Sequence, residues 1–237
     1  EDRAEAARMG GASMLFMGLS TAVIALVAWP FIDPLVGLIG ATGETRVLAT
    51  RFLQIVLPST PIVALGMCTT GIMRGAGDAR RAMYVTLAAG LAAAVLDPIF
   101  IFGFGLGLDG AAISTVLSRI ILLLVGLYGA HIVHRLMAMP DPRKLMALAR
   151  PFFAIGVPAV LTQLAMPVGN TYVTVVMARF GDEAIAGWAI IGRLIPVAFG
   201  VIFALSGAVG PIIGQNYGAR RYDRLNMVMR DALIFVL

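Results

Sequence analysis

The sequence predicts an all-α protein, a polytopic bundle of helices that cross a membrane. Hydrophobic residues make up 59% of its 237 residues, charged residues only 13%, and the mean hydropathy is +0.92. Soluble domains contain about 45–50% apolar and about 25% charged residues. The apolar residues also form stretches long enough to cross a bilayer, which takes about 20 residues. Composition and grouping together indicate an integral membrane protein in a lipid bilayer.

Six stretches are long and apolar enough to be membrane spans. In chain order they are Gly11–Leu38, Val47–Met73, Met83–Phe102, Gly110–Val133, Phe152–Ala178 and Ala184–Ile213. Pro30 and Pro34 interrupt the first of them. Because a helix tends to stop before proline, we expect the membrane part of this stretch to end near Trp29.

The connections between the spans alternate in positive charge. Only Arg46, Arg51 and Arg179 lie on one side of the predicted membrane. Thirteen basic residues lie on the other: Arg3, Arg8, Arg74, Arg80, Arg81, Arg135, Arg143, Lys144, Arg150, Arg220, Arg221, Arg224 and Arg230. Basic residues accumulate in cytoplasmic loops. We therefore expect the N-terminus and the segments 74–81, 134–150 and 218–230 to face the cytoplasm.

The longest polar break between spans is residues 134–150. It predicts a cytoplasmic loop between two lobes, an N-terminal lobe over 1–133 with four spans and a C-terminal lobe over 151–237. The C-terminal lobe would hold two spans and a truncated third, which begins near Leu225 and is too short to cross.

The chain carries a weak sign of an internal repeat. The dipeptide Asp2-Arg3 before the first helix returns as Asp223-Arg224, 221 residues later. Transporters are often built from such repeats. With the truncated last helix, this predicts a fragment of about one repeat of a longer protein. The opening residues lack the basic start and short apolar core of a cleavable signal peptide.

One acidic residue lies deep within a predicted span. Asp97 is in the third stretch, and a carboxylate at membrane depth costs roughly 2.5–3.5 kcal/mol on insertion scales, so it is usually retained to bind a cation or proton. Pro98 removes a backbone donor beside it and is expected to kink the helix, which frees carbonyls that can help to hold an ion. The alternatives are an acid that caps a helix end or one neutralised by Arg119.

A second conspicuous segment follows the second span. Gly75 and Gly77 permit a tight turn there, and Asp78 can cap the next helix with its side chain. Arg74 helps to hold the turn in the cytoplasm. We interpret this segment as a structural loop rather than a chemical site.

Polar side chains in the fifth span are candidates for a substrate cavity. Gln163 and Asn170 are seven residues apart and share a helix face, Thr171 follows directly, and Met166 could contribute a flexible apolar surface. The alternative is that the polar groups hydrogen-bond between helices.

Metal, cofactor and nucleic-acid sites find little support in the sequence. Cys68 is the only cysteine, and His131 and His134 have no third ligand nearby, so we expect neither a metal nor a cofactor. The basic residues lack interleaved aromatic residues or a recognition motif, which argues against nucleic-acid binding.

Several motifs resemble those of the multidrug and toxic compound extrusion (MATE) transporters, in the same order and over essentially the whole chain. They are Arg74-Gly75-Ala76-Gly77-Asp78, Leu96-Asp97-Pro98, Gly110-Ala111-Ala112-Ile113-Ser114-Thr115, Gly181–Gly187, Gly192-Arg193 and Gly214–Ala219. The resemblance implies twelve spans in two pseudo-symmetric lobes, of which this chain is similar to the third to eighth and the start of the ninth. It also implies a prokaryotic inner-membrane antiporter, monomeric when full length, that exports organic cations or amphipathic drugs by alternating access with protons or sodium.

The resemblance further implies a coupling site in the N-terminal lobe. Members of the DinF type use an Asp on the first span, an Asn and an Asp on the fifth, and a Thr on the sixth. Asp97 matches the fifth-span Asp and Thr115 the Thr, whereas Ala93 stands at the Asn position and the first-span Asp lies outside the chain. Members of the NorM type use a seventh-span Glu, and the corresponding region, 158–167, has Gln163 but no acid.

Three other functions are possible on this sequence. A flippase for a lipid-linked glycan would need a basic central cavity, and the spans carry only Arg119 and Arg193. A membrane enzyme would need a paired Asp, a Ser/His dyad or a metal cluster, so we expect no enzymatic activity. A non-transporting scaffold would have no use for an isolated buried acid such as Asp97.

Overall fold

The computed structural model describes residues 2–38, 42–138 and 142–236, and all regular secondary structure in these ranges is helical, as the sequence predicts. The helices are α1 (Asp2–Ala28), α2 (Ile32–Leu38), α3 (Gly43–Val56), α4 (Thr60–Gly75), α5 (Ala79–Pro98), α6 (Gly107–Leu127), α7 (Pro142–Ala178), α8 (Asp182–Ala198), α9 (Gly200–Gly218) and α10 (Tyr222–Val236). The chain divides into two compact units, Glu1–Leu148 and Ala149–Leu237.

The helices reproduce the predicted spans in length and composition. Within the described residues, five continuous helical stretches are long and apolar enough to cross a membrane: Ala4–Leu38, Gly43–Gly75, Ala79–Gly103, Gly107–Val133 and Leu148–Met177. A sixth is formed by Ala186–Ala198 and Gly200–Gly218, which are bent by 54° at the intervening residue. Each corresponds to one of the six predicted spans.

Prolines divide two of these spans into shorter helices. Helix α1 ends at Ala28, and a 3-10 turn at Trp29–Phe31 leads into α2, which agrees with the predicted break near Trp29. A similar turn at Leu57–Ser59 separates α3 from α4. Proline cannot donate a backbone hydrogen bond, so the helix loses a bond at each of these positions.

The predicted loop over 134–150 is wrong at its C-terminal end. Helix α7 begins at Pro142, so residues 142–150 are helical. Proline suits the first position of a helix because its fixed φ is already helical and its missing N–H is not needed there. Residues 134–138 are non-helical as predicted, and 139–141 lie outside the described residues.

Helices α4 and α6 run parallel in the first unit and approach closely at glycines. Added Cβ atoms on Gly66 and Gly126 would overlap the Leu122 side chain and the Thr69 hydroxyl, respectively. In both contacts the two residues stay 56 or 57 positions apart along the chain, which keeps one register along the pair. Small residues permit this approach in a membrane, where helices associate by packing. Met73, fully buried, continues the interface into the hydrophobic core.

The segment after α6 lies across the start of α1. The Ala138 amide donates to the Ala7 carbonyl at 3.0 Å. Added Cβ atoms on Gly10 and Gly11 would overlap the carbonyls of Leu136 and Ala138. Two glycines in α1 therefore make room for a backbone that crosses the helix, and this contact fixes residues 136–138 within the first unit.

The Gly126 contact gives a test of the α4–α6 interface. Because the added methyl of Gly126→Ala would displace the Thr69 hydroxyl from its 2.6 Å bond to the Gly66 carbonyl, we expect a loss of about 1–3 kcal/mol of stability. Thermal unfolding of the purified protein in detergent measures it. The control is Gly90→Ala on α5, where nothing lies within 4 Å of the added carbon. Equal melting temperatures for the two variants would contradict the interface.

Candidate functional site

Asp97 lies in the last turn of α5, where the helix changes its hydrogen-bonding pattern. Pro98 ends α5, and a π-helical turn, Ile99–Gly103, continues the span, closed by the Phe104 amide on the Ile99 carbonyl at 2.9 Å. The kink predicted at Pro98 stays a prediction, and the structure shows a widened turn directly after the proline. Such turns occur frequently at functional sites.

A hydroxyl from α6 contacts the Asp97 carboxylate. Ser114 Oγ donates to Asp97 Oδ1, and Ser114 is fully buried while Asp97 is half-buried. In the described part of the chain Asp97 forms no ion pair. Arg119, which would neutralise Asp97 under one of the alternatives, instead donates from Nη1 to the Val56 carbonyl at 3.0 Å and to Ser59 Oγ at 2.7 Å. Arg119 therefore joins α6 to the break between α3 and α4.

The structure places Ser114 rather than Thr115 against Asp97. The Thr115 hydroxyl donates to the Ala111 carbonyl of its own helix at 2.8 Å. Successive residues on a helix point about 100° apart, so only one of the two can face α5. Ala93, one turn before Asp97, offers no polar side-chain atom. A coupling role for Thr115 stays a prediction, and Ser114 is a residue that the sequence motifs did not single out.

The register of α5 against α6 is set by a close backbone contact. An added Cβ on Gly110 would lie 2.5 Å from the Phe100 carbonyl oxygen in the π-helical turn. The two helices run antiparallel, so moving one turn along α6 from Gly110 and back along α5 from Phe100 brings Ser114 opposite Asp97. The close contact at Gly110 therefore positions Ser114 next to Asp97.

The second unit contains a cleft of about 630 Å³ between α7, α8 and α9. Its volume is within the range of about 300–1,000 Å³ typical of small-molecule sites. Among the predicted substrate residues, Met166 and Asn170 line this cleft. Gln163 and Thr171 are not among its lining residues, and the Thr171 hydroxyl donates to the Pro167 carbonyl at 2.9 Å.

Among the lining residues that the sequence did not predict, three carry polar or aromatic side chains. Thr174 lies one turn after Asn170, Trp188 comes from α8, and Phe203 comes from α9. The lining residues given by the described structure carry no charged side chain. The sequence offered one sign that Trp188 lines a cleft. It is a tryptophan in a strongly apolar segment, and its N–H needs a polar partner or water.

The turn between α4 and α5 is built around Asp78. Asp78 Oδ1 accepts from the Arg81 backbone N–H at 2.9 Å, which caps α5, and Oδ2 lies 2.7 Å from both Arg81 Nη1 and His134 Nε2. The Arg81 N–H, the Arg81 side chain and His134 lower the pKa of Asp78 to about 2. Gly77 has a φ of +86°, which requires glycine, whereas Gly75 is the last residue of α4 and Arg74 lies before it.

The Asp78–His134 contact joins residues that are distant in sequence. It ties the turn before α5 to the residue that follows Tyr128–Val133, a π-helical segment that continues α6. This contact was not predicted, because the sequence gives no sign of which residues lie near the capping carboxylate. No group of three or more metal-ligating side chains occurs among the described residues.

Comparison with known proteins connects this structure to a family. A family model described as MatE matches residues 1–99 and 158–237. Multidrug export protein MepA of Staphylococcus aureus is 31% identical over 218 residues, which cover 90% of this chain and 48% of MepA. An FAD transporter of Shewanella oneidensis is 33% identical over 214 residues, which cover 87% of this chain and 47% of that protein.

A solved structure shares the fold over nearly the whole chain. It is a MOP superfamily transporter from Pyrococcus furiosus, with a TM-score of 0.88 at 26% identity, and the match covers 98% of this chain and 52% of that one. The chain therefore spans about half the length of the relatives that it matches. These relatives, together with the apolar helices, identify an integral membrane protein.

The ionised Asp78 gives a pH-dependent prediction about stability. Its pKa is lowered from 3.8 to about 2 in the folded chain, so its contribution is fully present above pH 3.8 and is lost as the pH falls toward 2. We expect Asp78→Ala to lower the melting temperature at pH 5 and to have a smaller effect near pH 2.5. The control is Asp231→Ala, an exposed carboxylate. If the loss in melting temperature of Asp78→Ala is as large near pH 2.5 as at pH 5, the ionised Asp78 does not stabilise the fold.

Proposed function

This chain belongs to the MatE family, and we propose that the protein containing it exports organic cations or amphipathic drugs by antiport with protons or sodium. The MatE relatives are transporters, which makes transport the starting point. The observation that carries the proposal is Asp97, a half-buried carboxylate inside a span whose recorded partner is a neutral hydroxyl. A single charge in that setting is relieved by binding a proton or a cation.

Coupling requires that each ligand favour a different arrangement of the protein. Proton or cation binding at Asp97 removes the charge penalty and stabilises one state, and substrate binding stabilises the other. The π-helical turn after Pro98 is a place where the hydrogen-bonding pattern of α5 can change with little displacement of the helix. Alternating access then follows from the competition between the two ligands.

The cleft between α7, α8 and α9 supports the choice of substrate class. Trp188, Phe203 and Met166 offer aromatic and flexible apolar surface, and Asn170 and Thr174 offer uncharged polar groups. A cation over the Trp188 ring would gain about 0.5–2 kcal/mol. An anion such as FAD, or the pyrophosphate of a lipid-linked glycan, would need basic side chains, and the described lining residues include none.

We extend the proposal to the setting of the protein in the cell. The alternation of basic residues favours a cytoplasmic N-terminus for this chain and cytoplasmic segments at 74–81, 134–150 and 218–230. The relatives from Staphylococcus and Shewanella favour the plasma membrane of a prokaryote, the inner membrane where there are two. We propose that the full-length protein is a monomer. Its helices would be surrounded by the lipid bilayer.

The coupling role of Asp97 can be tested by export. Asp97→Asn in the full-length protein removes the titratable carboxyl, and we expect it to abolish efflux of a cationic dye from cells at matched membrane abundance. The control is Asp109→Asn, also a half-buried carboxylate of the first unit, which pairs with Arg51 at 2.9 Å and should keep efflux. Full export by the Asp97 variant would refute the proposed role.

The cleft is tested by the concentration dependence of transport. Trp188→Ala removes the aromatic surface, and we expect the half-saturating concentration of a cationic dye to rise about tenfold, with the maximal rate largely kept. Tyr172→Ala, an exposed aromatic on α7 outside the cleft lining, is the control and should have little effect. Equal half-saturating concentrations for the Trp188 variant and the wild type would exclude the cleft as the substrate site.

A further inference from the structure

Ser114 is placed to act on the chemistry of Asp97. The serine is fully buried on α6, and its hydroxyl donates to Asp97 Oδ1 on α5. The same hydroxyl lies 3.0 Å from the Ala111 carbonyl of its own helix. A hydroxyl carries one hydrogen and two acceptor lone pairs, so these two acceptors compete for a single proton.

The two acceptors let the hydroxyl serve both protonation states of the acid. When Asp97 is ionised, the Ser114 hydrogen points to the carboxylate. When Asp97 is protonated, its own O–H can donate to Ser114 Oγ, and the serine hydrogen turns to the Ala111 carbonyl. No polar atom of the pair loses its partner in either state, and bonds to the charged form are the stronger ones.

The charged groups on the elements packed against α5 are engaged elsewhere or distant. On α6, Asp109 pairs with Arg51, and Arg119 donates to Val56 and Ser59. On α4, Arg74 lies in the last turn, near the opposite end of α5 from Asp97, and Cys68 lines a cleft that includes residues of α1. The π-helical turn after Pro98 contains no titratable residue. Within the described structure, the Ser114 hydroxyl is therefore the side-chain group placed to influence protonation of Asp97.

We propose that Ser114 is a positioning residue that holds the Asp97 carboxyl and sets the pH range over which it binds and releases its proton. The inference rests on the proposed function, in which Asp97 carries the coupling ion, and it adds the residue that tunes this group. Because sodium competes with protons at a carboxylate, the pH range matters for either coupling ion.

Removing the Ser114 hydroxyl destabilises the ionised form of Asp97 more than the neutral form. Ser114→Ala deletes a donor to a charged carboxylate, so Asp97 should take up its proton at a pH higher by about one unit. Ser114→Cys, which keeps a side-chain donor at the same position but donates weakly, should shift in the same direction by less. Alanine differs from serine by one atom, so the buried site is not overfilled.

The experiment measures protonation of Asp97 itself in the full-length protein. Infrared spectra recorded against pH without sodium follow the carboxyl C=O band, assigned by its absence in Asp97→Asn. Dye export is measured over the same pH range. The matched control is Ser118→Ala, one turn further along α6, whose hydroxyl is also buried but has no hydrogen-bond partner in the described residues.

The expected result is an upward shift of the Asp97 midpoint in Ser114→Ala, the same shift in the pH profile of export, and no shift in Ser118→Ala. An unchanged or lower midpoint, or an equal shift in Ser118→Ala, would overturn the inference. If Ser114→Ala does not accumulate, Ser114→Cys decides by the same criterion. Export that survives Asp97→Asn would instead refute the proposed function, while the infrared midpoint would still report on Ser114.

Discussion

The close approach of α6 to its neighbours is the constraint on which the first unit depends. Lipid provides little hydrophobic drive for helices to associate, so packing must hold them together. Gly126 on α6 and Gly66 on α4 leave no room for a side chain where these two helices meet, and Gly110 leaves none against the turn after α5. These contacts fix the rotation and register of α6. Ser114 is on the same helix, and its position opposite Asp97 follows from that register.

The same packing explains how a carboxylate is tolerated in a span. A buried charge is costly without a partner, and a neutral hydroxyl reduces that cost without cancelling the charge. An arginine in the same place would lock the acid in its ionised form, but Arg119 is held by Val56 and Ser59 instead. Asp97 therefore has no ion-pair partner among the described residues, as its proposed role in an ion-coupled cycle requires.

The features that the sequence predicted well are those that depend on local patterns. Span lengths follow from apolar stretches, and the break near Trp29 follows from Pro30. Asp97 was recognised because an acid in a span is unusual. Three features depend on contacts between distant segments and were missed: Ser114 rather than Thr115 against Asp97, His134 on Asp78, and Trp188 in the cleft. Each needs the relative placement of two segments of the chain, which a single sequence does not encode in its periodicity.

The central claim is that Asp97 exchanges its ion when substrate binds. Linkage requires that a substrate which favours the ion-free state displace a proton from that site. The direct measurement is proton release from the purified full-length protein on addition of a cationic dye, followed with a pH indicator in weak buffer. The account predicts release of about one proton per bound dye in the wild type and none in Asp97→Asn. Equal release from both proteins would contradict it.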